Sequence, residues 1–289
     1  MNSIYYIDGE FVAAEEARIP ASDLAILRGY GVFDFMRTYG GQPFHLEQHI
    51  ARLFRSAEQI MLDMPWTPDE IKAIVLETLE RNDHAESNVR IVVTGGDSID
   101  YITPSGEPRL LVLVYPAMPP AAHYYTDGAK IITVREDRYL PGAKTINYIP
   151  AIRALKQAKA QNAIEAIYTD AAGRVLEGTT TNLFAFYDGV LVTPGEGILN
   201  GITRGAVLDL VKDVFPLEIR DILLDDLYQA DEVFITASNK QVMPIVQVND
   251  RTIGAGVPGE LTKRVMAMFT EMAAEIASAA PKAKIVFSS

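Results

Sequence analysis

Lys144 lies in the run Leu140-Pro141-Gly142-Ala143-Lys144-Thr145-Ile146-Asn147-Tyr148, and thirty-three residues later comes Glu177-Gly178-Thr179-Thr180-Thr181-Asn182-Leu183-Phe184. A lysine amine can condense with an aldehyde to form a Schiff base. A carboxylate can keep an aromatic ring nitrogen protonated through a charge-assisted hydrogen bond. Those are the two groups that pyridoxal 5'-phosphate (PLP) requires of a protein. A third segment, Leu199-Asn200-Gly201-Ile202-Thr203-Arg204, precedes apolar helical positions at Ala206, Val207, Leu210 and Val211. The backbone N–H groups of Ile202 and Thr203 can then point at a phosphate, helped by the helix dipole. Taken singly, these features are a solvated surface lysine, an edge-strand carboxylate and a Thr-capped helix start. Their occurrence together, in this order, is what points to cofactor chemistry.

The Glu-Gly-Thr-x-Thr-Asn-Leu-Phe string resembles, over its whole length, the glutamate motif of the class IV (fold-type IV) PLP-dependent aminotransferases. Lys144 and Tyr148 match the Lys-x-x-x-Tyr arrangement of that family. The resemblance runs from Ile4 to Ala280 and is strongest from Leu140 to Arg204. It implies that Lys144 carries the cofactor, that Tyr148 hydrogen-bonds its ring oxygen and that Glu177 holds its ring nitrogen. It also implies that Leu199 packs on one face of the ring and that Asn182 belongs to the same binding set. Arg52, in His49-Ile50-Ala51-Arg52-Leu53, matches the helix arginine that joins Ile202 and Thr203 on the phosphate. Ser238 falls where the family places a further hydroxyl on that phosphate, with Asn239 beside it on the substrate side.

An amino-acid substrate carries an α-carboxylate, for which arginine is the natural bidentate partner. Two arginines stand in apolar settings: Arg28, in Leu24-Ala25-Ile26-Leu27-Arg28-Gly29-Tyr30-Gly31, and Arg90, in Arg90-Ile91-Val92-Val93-Thr94. Each can equally be read as the basic half of a salt bridge. The chain lacks the Arg-x-His trap of the best-known D-amino-acid transaminases, having Gly95-Gly96-Asp97, and Ile26 stands where they have an aromatic residue. It also lacks the Glu-Gly-(Ile/Thr)-Arg string of branched-chain enzymes, having Val32-Phe33-Asp34-Phe35-Met36-Arg37. The Arg28 and Arg90 pair resembles a less common group of D-amino-acid transaminases. That group implies transfer of an amino group between a D-amino acid (D-alanine or D-glutamate) and a 2-oxo acid (2-oxoglutarate or pyruvate) by a ping-pong path. It also implies a homodimer in which Arg28 enters the neighbouring subunit's site. An L-branched-chain aminotransferase remains open, with Ile26, Phe33, Phe35 and Met36 as its apolar pocket. So do an aminodeoxychorismate lyase on the same scaffold and a PLP-binding protein without turnover.

These groups need a scaffold, and the sequence predicts an α+β protein of two domains. A small α+β N-terminal domain is expected over 1–116, a linker over 117–127, a larger β-barrel-like PLP-binding domain over 128–280, and a loose tail over 281–289. The linker is read from Pro116-Ala117-Met118-Pro119-Pro120, which no central strand tolerates. Asp8-Gly9 and Asp188-Gly189 mark hairpins. Thr67-Pro68-Asp69-Glu70 marks a capped helix start. Helices are further expected over His45–Met61, through Ile152 and Leu155, over Arg204–Phe215 and from Gly259 to about Ala280. Strands are expected at Val89–Thr94, Leu110–Tyr115, Lys130–Val134, Ala166–Thr169, Val175–Glu177, Leu183–Tyr187, Val190–Thr193 and Glu232–Thr236. A net charge of −12 argues against nucleic acid or an anionic membrane as partner. The absence of cysteine excludes disulfides and thiolate metal sites, and no metal is expected. Without a signal peptide or a span-length apolar stretch, a soluble cytoplasmic enzyme is the expectation.

Overall fold

The computed structural model describes residues 3–279. The chain opens with the expected hairpin, β1 (Ile4–Ile7) and β2 (Glu10–Ala13), turning on Asp8 at φ 49° and Gly9 at φ 105°. The short helix α1 (Leu24–Arg28) begins at Asp23, whose side chain accepts from Ala25 N. It ends at Gly29, whose φ of 64° is the left-handed conformation that glycine adopts without strain. Then come β3 (Gly31–Tyr39), β4 (Gln42–Pro43), α2 (Leu46–Gln59), α3 (Pro68–Glu80), β5 (Ser87–Thr94) and β6 (Arg109–Pro116). The predicted capping box starts α3: Thr67 Oγ1 accepts from Glu70 N, and the Glu70 carboxylate accepts from Thr67 N. The six strands form one antiparallel sheet in the order β2-β1-β6-β5-β3-β4.

Strand β3, unmarked in the sequence reading, decides the site. Its even positions face α2: Val32 and Met36 join Leu46, Ile50 and Leu53 in the core, and Asp34 reaches α2 as well. Its odd positions Phe33 and Phe35 face the other way. The neighbouring strand β5 follows the same alternation, with Val89, Ile91 and Val93 in the core and Asn88 and Arg90 on the opposite face.

Past the proline-rich stretch and the short helix α4 (His123–Thr126), a second sheet begins with β7 (Ala129–Arg135), followed by α5 (Ile149–Ala160). Four strands follow, β8 (Glu165–Thr169), β9 (Arg174–Gly178), β10 (Asn182–Tyr187) and β11 (Val190–Thr193), and then α6 (Ile202–Val211). The chain closes with β12 (Leu217–Ile219), β13 (Ile222–Leu223), α7 (Leu224–Leu227), β14 (Glu232–Ala237), β15 (Gln241–Val248), β16 (Arg251–Thr252) and α8 (Glu260–Ser278). The sheet is a curled half-barrel of ten strands, in the order β12-β11-β10-β14-β15-β7-β8-β9-β13, with β16 on β15. The architecture is α+β, as expected.

Helix α6 differs from the expected Arg204–Phe215. It starts earlier because Gly201, extended at ψ 137°, is the residue that precedes the first turn. A trailing turn carries Phe215 N back to Val211 O at 3.0 Å before Pro216 stops it. The last residue expected in α8, Ala280, and the expected tail lie outside the described residues.

The two sheets share a core. Tyr39 of β3 and Phe44, just past β4, pack in one cluster with Phe184 of β10, Phe234 of β14 and Phe269 of α8, and Phe184 stacks on Phe234 at 4.8 Å. Each fully buried phenylalanine stabilises the junction by about 1.5–3 kcal/mol. Hydrogen bonds also cross it. The segment carrying Lys144 docks on β3 through Phe33 N to Lys144 O at 2.9 Å and Ile146 N to Gly31 O at 3.1 Å. Ser238 Oγ donates to Phe35 O at 3.2 Å.

Candidate active site

Between the sheets lies a cavity of about 900 Å³. Residues expected to bind cofactor or substrate line it: Arg52, Arg90, Lys144, Tyr148, Glu177, Asn182, Leu199, Ile202, Thr203, Ser238 and Asn239. Arg28 does not line it. Exposed at the end of α1, it donates to the carbonyl of Leu27 at 2.8 Å, with no ion-pair partner among the described residues. Of the four residues named for an apolar pocket, Phe33 and Phe35 reach the cavity. Met36 does not, because the strand alternation turns it into the core, and Ile26 is 56% exposed on α1.

The ring of Phe33 is the platform of the site. Lys144 Nζ lies 4.6 Å from its centroid and the Arg90 guanidinium 4.9 Å, and the Tyr148 ring meets it edge-on at 5.3 Å. Lys144 N also donates to Ser56 Oγ at 3.1 Å, so α2 and β3 both fix the loop. Burial, then the charge of Arg52, pull the Lys144 amine down to about 7, against the opposing carboxylates of Asp34 and Glu177. A neutral, nucleophilic amine is therefore populated at neutral pH. Burial pushes the Tyr148 phenol up, so it stays protonated and able to donate.

Glu177 is 5% exposed, and both its oxygens are engaged. Oε2 accepts from Leu199 N at 2.9 Å, and Oε1 accepts from the Arg138 guanidinium. Arg138 also donates to the carbonyls of Pro141 at 3.0 Å and Ala143 at 2.8 Å, tying the lysine loop to the glutamate. Burial pushes the Glu177 carboxyl up, while Arg138, the Leu199 N–H and Lys144 pull it back. The sequence reading missed Arg138, which lies just ahead of the lysine motif and joins it to a carboxylate 39 residues away.

Arg52, 5% exposed, is held by a group also missed. Its Nε and Nη2 donate to the two oxygens of Asp34 at 2.9 and 2.8 Å, and His49 Nδ1 meets Asp34 Oδ1 at 2.6 Å. Asp34 and His49 are fully buried. Burial works against the Asp34 charge, but Arg52 and His49 outweigh it and hold the carboxyl well below the usual carboxylate range. Burial keeps His49 below the usual histidine range. Arg52 Nη1 remains directed toward the Asn200 carbonyl at 3.3 Å, beside the start of α6. The one available signal was an aspartate inside the otherwise apolar run Val32-Phe33-Asp34-Phe35-Met36.

That helix start suits an anion. Gly201 offers no side-chain cap, the first turn holds no acidic residue, and Arg204 turns away to Thr193 and Pro194. Asn182 Nδ2 fixes the preceding loop through Leu199 O at 2.9 Å. A Cβ on Gly201 would come within 2.0 Å of Asn182 Oδ1, so any larger residue there would have to displace the Asn182 side chain. Thr181 Oγ1 and Thr236 Oγ1 are buried on the cavity wall without hydrogen-bond partners. A buried hydroxyl left unpaired is costly, which favours a polar occupant. Uncapped helix amides beside Arg52, a neutral amine at Lys144 and a buried carboxylate at Glu177 fit PLP.

Comparison with known proteins agrees. Residues 31–248 match the family described as amino-transferase class IV. A Methanocaldococcus jannaschii protein provisionally named a branched-chain-amino-acid aminotransferase is 36% identical, over 92% of this chain and 95% of its own. A D-alanine aminotransferase of Bacillus licheniformis is 31% identical, over 89% and 93%. Among solved structures, the Escherichia coli branched-chain amino acid aminotransferase superposes with a TM-score of 0.88 at 25% identity, covering 94% of this chain and 95% of its own. The branched-chain amino acid aminotransferase of Thermoproteus uzoniensis with norvaline gives 0.87 at 28%, covering 96% of each chain. A further branched-chain enzyme, solved with pyridoxamine 5'-phosphate, gives 0.88 at 27%, covering 98% and 96%. Among the described residues no helix is long and apolar enough to cross a membrane, and no acidic or histidine cluster is arranged to hold a metal ion. The chain belongs to the class IV aminotransferases, which use pyridoxal 5'-phosphate.

Proposed function

We propose that this aminotransferase moves an amino group from a D-amino acid, of the D-alanine or D-glutamate type, to 2-oxoglutarate or pyruvate in a ping-pong cycle. When bound, PLP supplies the electron sink for the substrate carbon that loses its proton. The chain supplies the rest. Arg52 and the amides of Ile202 and Thr203 would hold the phosphate, with Ser238 nearby. Tyr148 would donate to the ring oxygen, and Glu177, fixed by the Leu199 N–H, would bind the ring nitrogen. The Lys144 amine, its pKa lowered by its setting, would take the proton from the substrate carbon and deliver it to the C4′ carbon of the cofactor, not back to the carbon it left.

Arg90 carries the reading of substrate. Five basic side chains line the cavity, and three of them have carboxylate partners: Arg52 on Asp34, Arg138 on Glu177 and Lys240 on Glu165. Arg90 has none among the described residues, lying instead across the rings of Phe33 and Phe35. An unpaired guanidinium in a cavity suits the substrate carboxylate. Arg28, exposed and equally free of an ion pair, suits the same task in a second copy of the chain, making the working unit a homodimer.

The branched-chain relatives favour a second reading, an L-branched-chain aminotransferase. Only Phe33 and Phe35 of its expected apolar pocket reach the cavity, which weighs against it. Titration of the holoenzyme with separate D- and L-amino acids, followed by visible cofactor absorbance, tests the choice. Bleaching by the D series supports the proposal. Bleaching by L-leucine and L-valine alone rejects it.

A further inference from the structure

The turn between β14 and β15 places one more cation on the cavity wall. Lys240 is held by its backbone, where Tyr125 Oη donates to its carbonyl at 2.9 Å. The next residue, Gln241, is fixed by a bond to Tyr39 Oη at 3.0 Å. The ammonium donates to Thr180 Oγ1 at 2.9 Å, and Thr180 also lines the cavity. Its carboxylate neighbour is Glu165, fully buried, but that contact is loose at 3.5 Å.

Glu165 has little need of the lysine. Its Oε1 accepts from Thr179 Oγ1 and from Ala166 N, and its Oε2 accepts from Thr180 Oγ1 at 2.7 Å. An ammonium has three donors. The Thr180 bond uses one and the long Glu165 contact takes a second, which leaves a third. The side chain is only 15% exposed, so its charge acts in a poorly solvated setting. Arg90 stands in the same cavity on β5, a strand of the other sheet.

We infer that Lys240 is a specificity residue that binds the second carboxylate of a dicarboxylic amino acid or 2-oxo acid while Arg90 takes the first. The inference rests on the transaminase reading above but not on the handedness of the substrate. It names the substrate class as C4–C5 dicarboxylates, in preference to monocarboxylates such as alanine and pyruvate. Thr180 positions the ammonium, and Glu165 balances part of its charge.

The test compares wild-type holoenzyme with K240M, K240R and E165Q. Kinetics are measured with glutamate and alanine of whichever enantiomer reacts, and inhibition is measured with the unreactive diacid glutarate. In K240M, kcat/KM for glutamate should fall at least about tenfold more than for alanine, the scale of one lost charge-assisted hydrogen bond. Glutarate inhibition should weaken in parallel, and K240R should recover part of both. E165Q should keep the preference for the dicarboxylate. If Lys240 merely neutralises Glu165, K240M would lower both substrates and the melting temperature together, and the inference falls. Glutarate binding, read from the visible band of the holoenzyme, separates the two ideas. A wild type that binds glutarate through Lys240 yet transaminates neither substrate would overturn the proposed function alone. Equal glutarate affinity in wild type and K240M would overturn the inference alone.

Discussion

Replacing Asp34 by Asn removes the charge that holds Arg52 while keeping the shape of the group. Arg52 would be left 5% exposed with a neutral partner in place of a bidentate carboxylate at 2.8 and 2.9 Å. Breaking a buried ion pair from one side costs about 3–5 kcal/mol. That is a large share of the roughly 5–15 kcal/mol that stabilises a typical fold. Urea unfolding of the apoenzyme can be followed by Trp66, the one tryptophan, which packs against the core between the first sheet and its helices. The D34N/R52M double variant should recover most of the loss, because no lone charge is then buried. The pH dependence has a definite sign. Asp34 titrates below its unfolded value, so its contribution is complete above about pH 4 and is lost as pH falls further. The gap between wild type and D34N should therefore narrow in acid. PLP should also leave D34N faster, since the arginine beside the start of α6 is no longer held. A loss below about 1 kcal/mol at neutral pH, the size of an ordinary neutral hydrogen bond, or a gap that ignores pH, would refute the anchoring role of Asp34.

Four further outcomes are expected. K144A should lose turnover and the visible absorbance of bound cofactor; full activity in that variant would remove the lysine from the chemistry. Condensation of the apoenzyme with PLP should rise with pH about a midpoint near 7, and R52M should move that midpoint upward, whereas a wild-type midpoint in the ordinary lysine range would contradict the burial argument. R90M should cost about 1.5–3 kcal/mol of transition-state binding, roughly ten- to a hundredfold in kcat/KM, measured by half-reaction kinetics; unchanged rates would take the substrate carboxylate elsewhere. G201A should weaken PLP retention in equilibrium dialysis, because its methyl would displace Asn182 and with it the Leu199 loop.

The reactive groups were legible because each sits in a short contiguous pattern. The lysine loop, the glutamate string and the helix start can be read without knowing the fold, and so can the Asp8-Gly9 turn and the Thr67 capping box. What escaped depends on contacts distant in sequence. Strand β3 hid because both its faces are covered, which erases the apolar–polar alternation that marks a half-buried strand. Strand β15 hid behind Pro244, which lies one position before its pairing with β7 begins at Ile245. Asp34 and His49 are residue types ordinarily taken for solvated ones, yet both are fully buried. Arg138 precedes the lysine motif, and its acidic partner lies 39 residues away.

The docking of the Lys144 segment onto β3 means that neither half of the polypeptide owns the reactive centre. The amine is borne by one half, while its backbone and its aromatic seat are fixed by the other. Two fragments cut within residues 117–122 would each hold an incomplete set, and colour and turnover would return only on their reassembly. A cofactor bound at that seam would serve as mortar as well as reagent, tying the fate of each half to that of its neighbour.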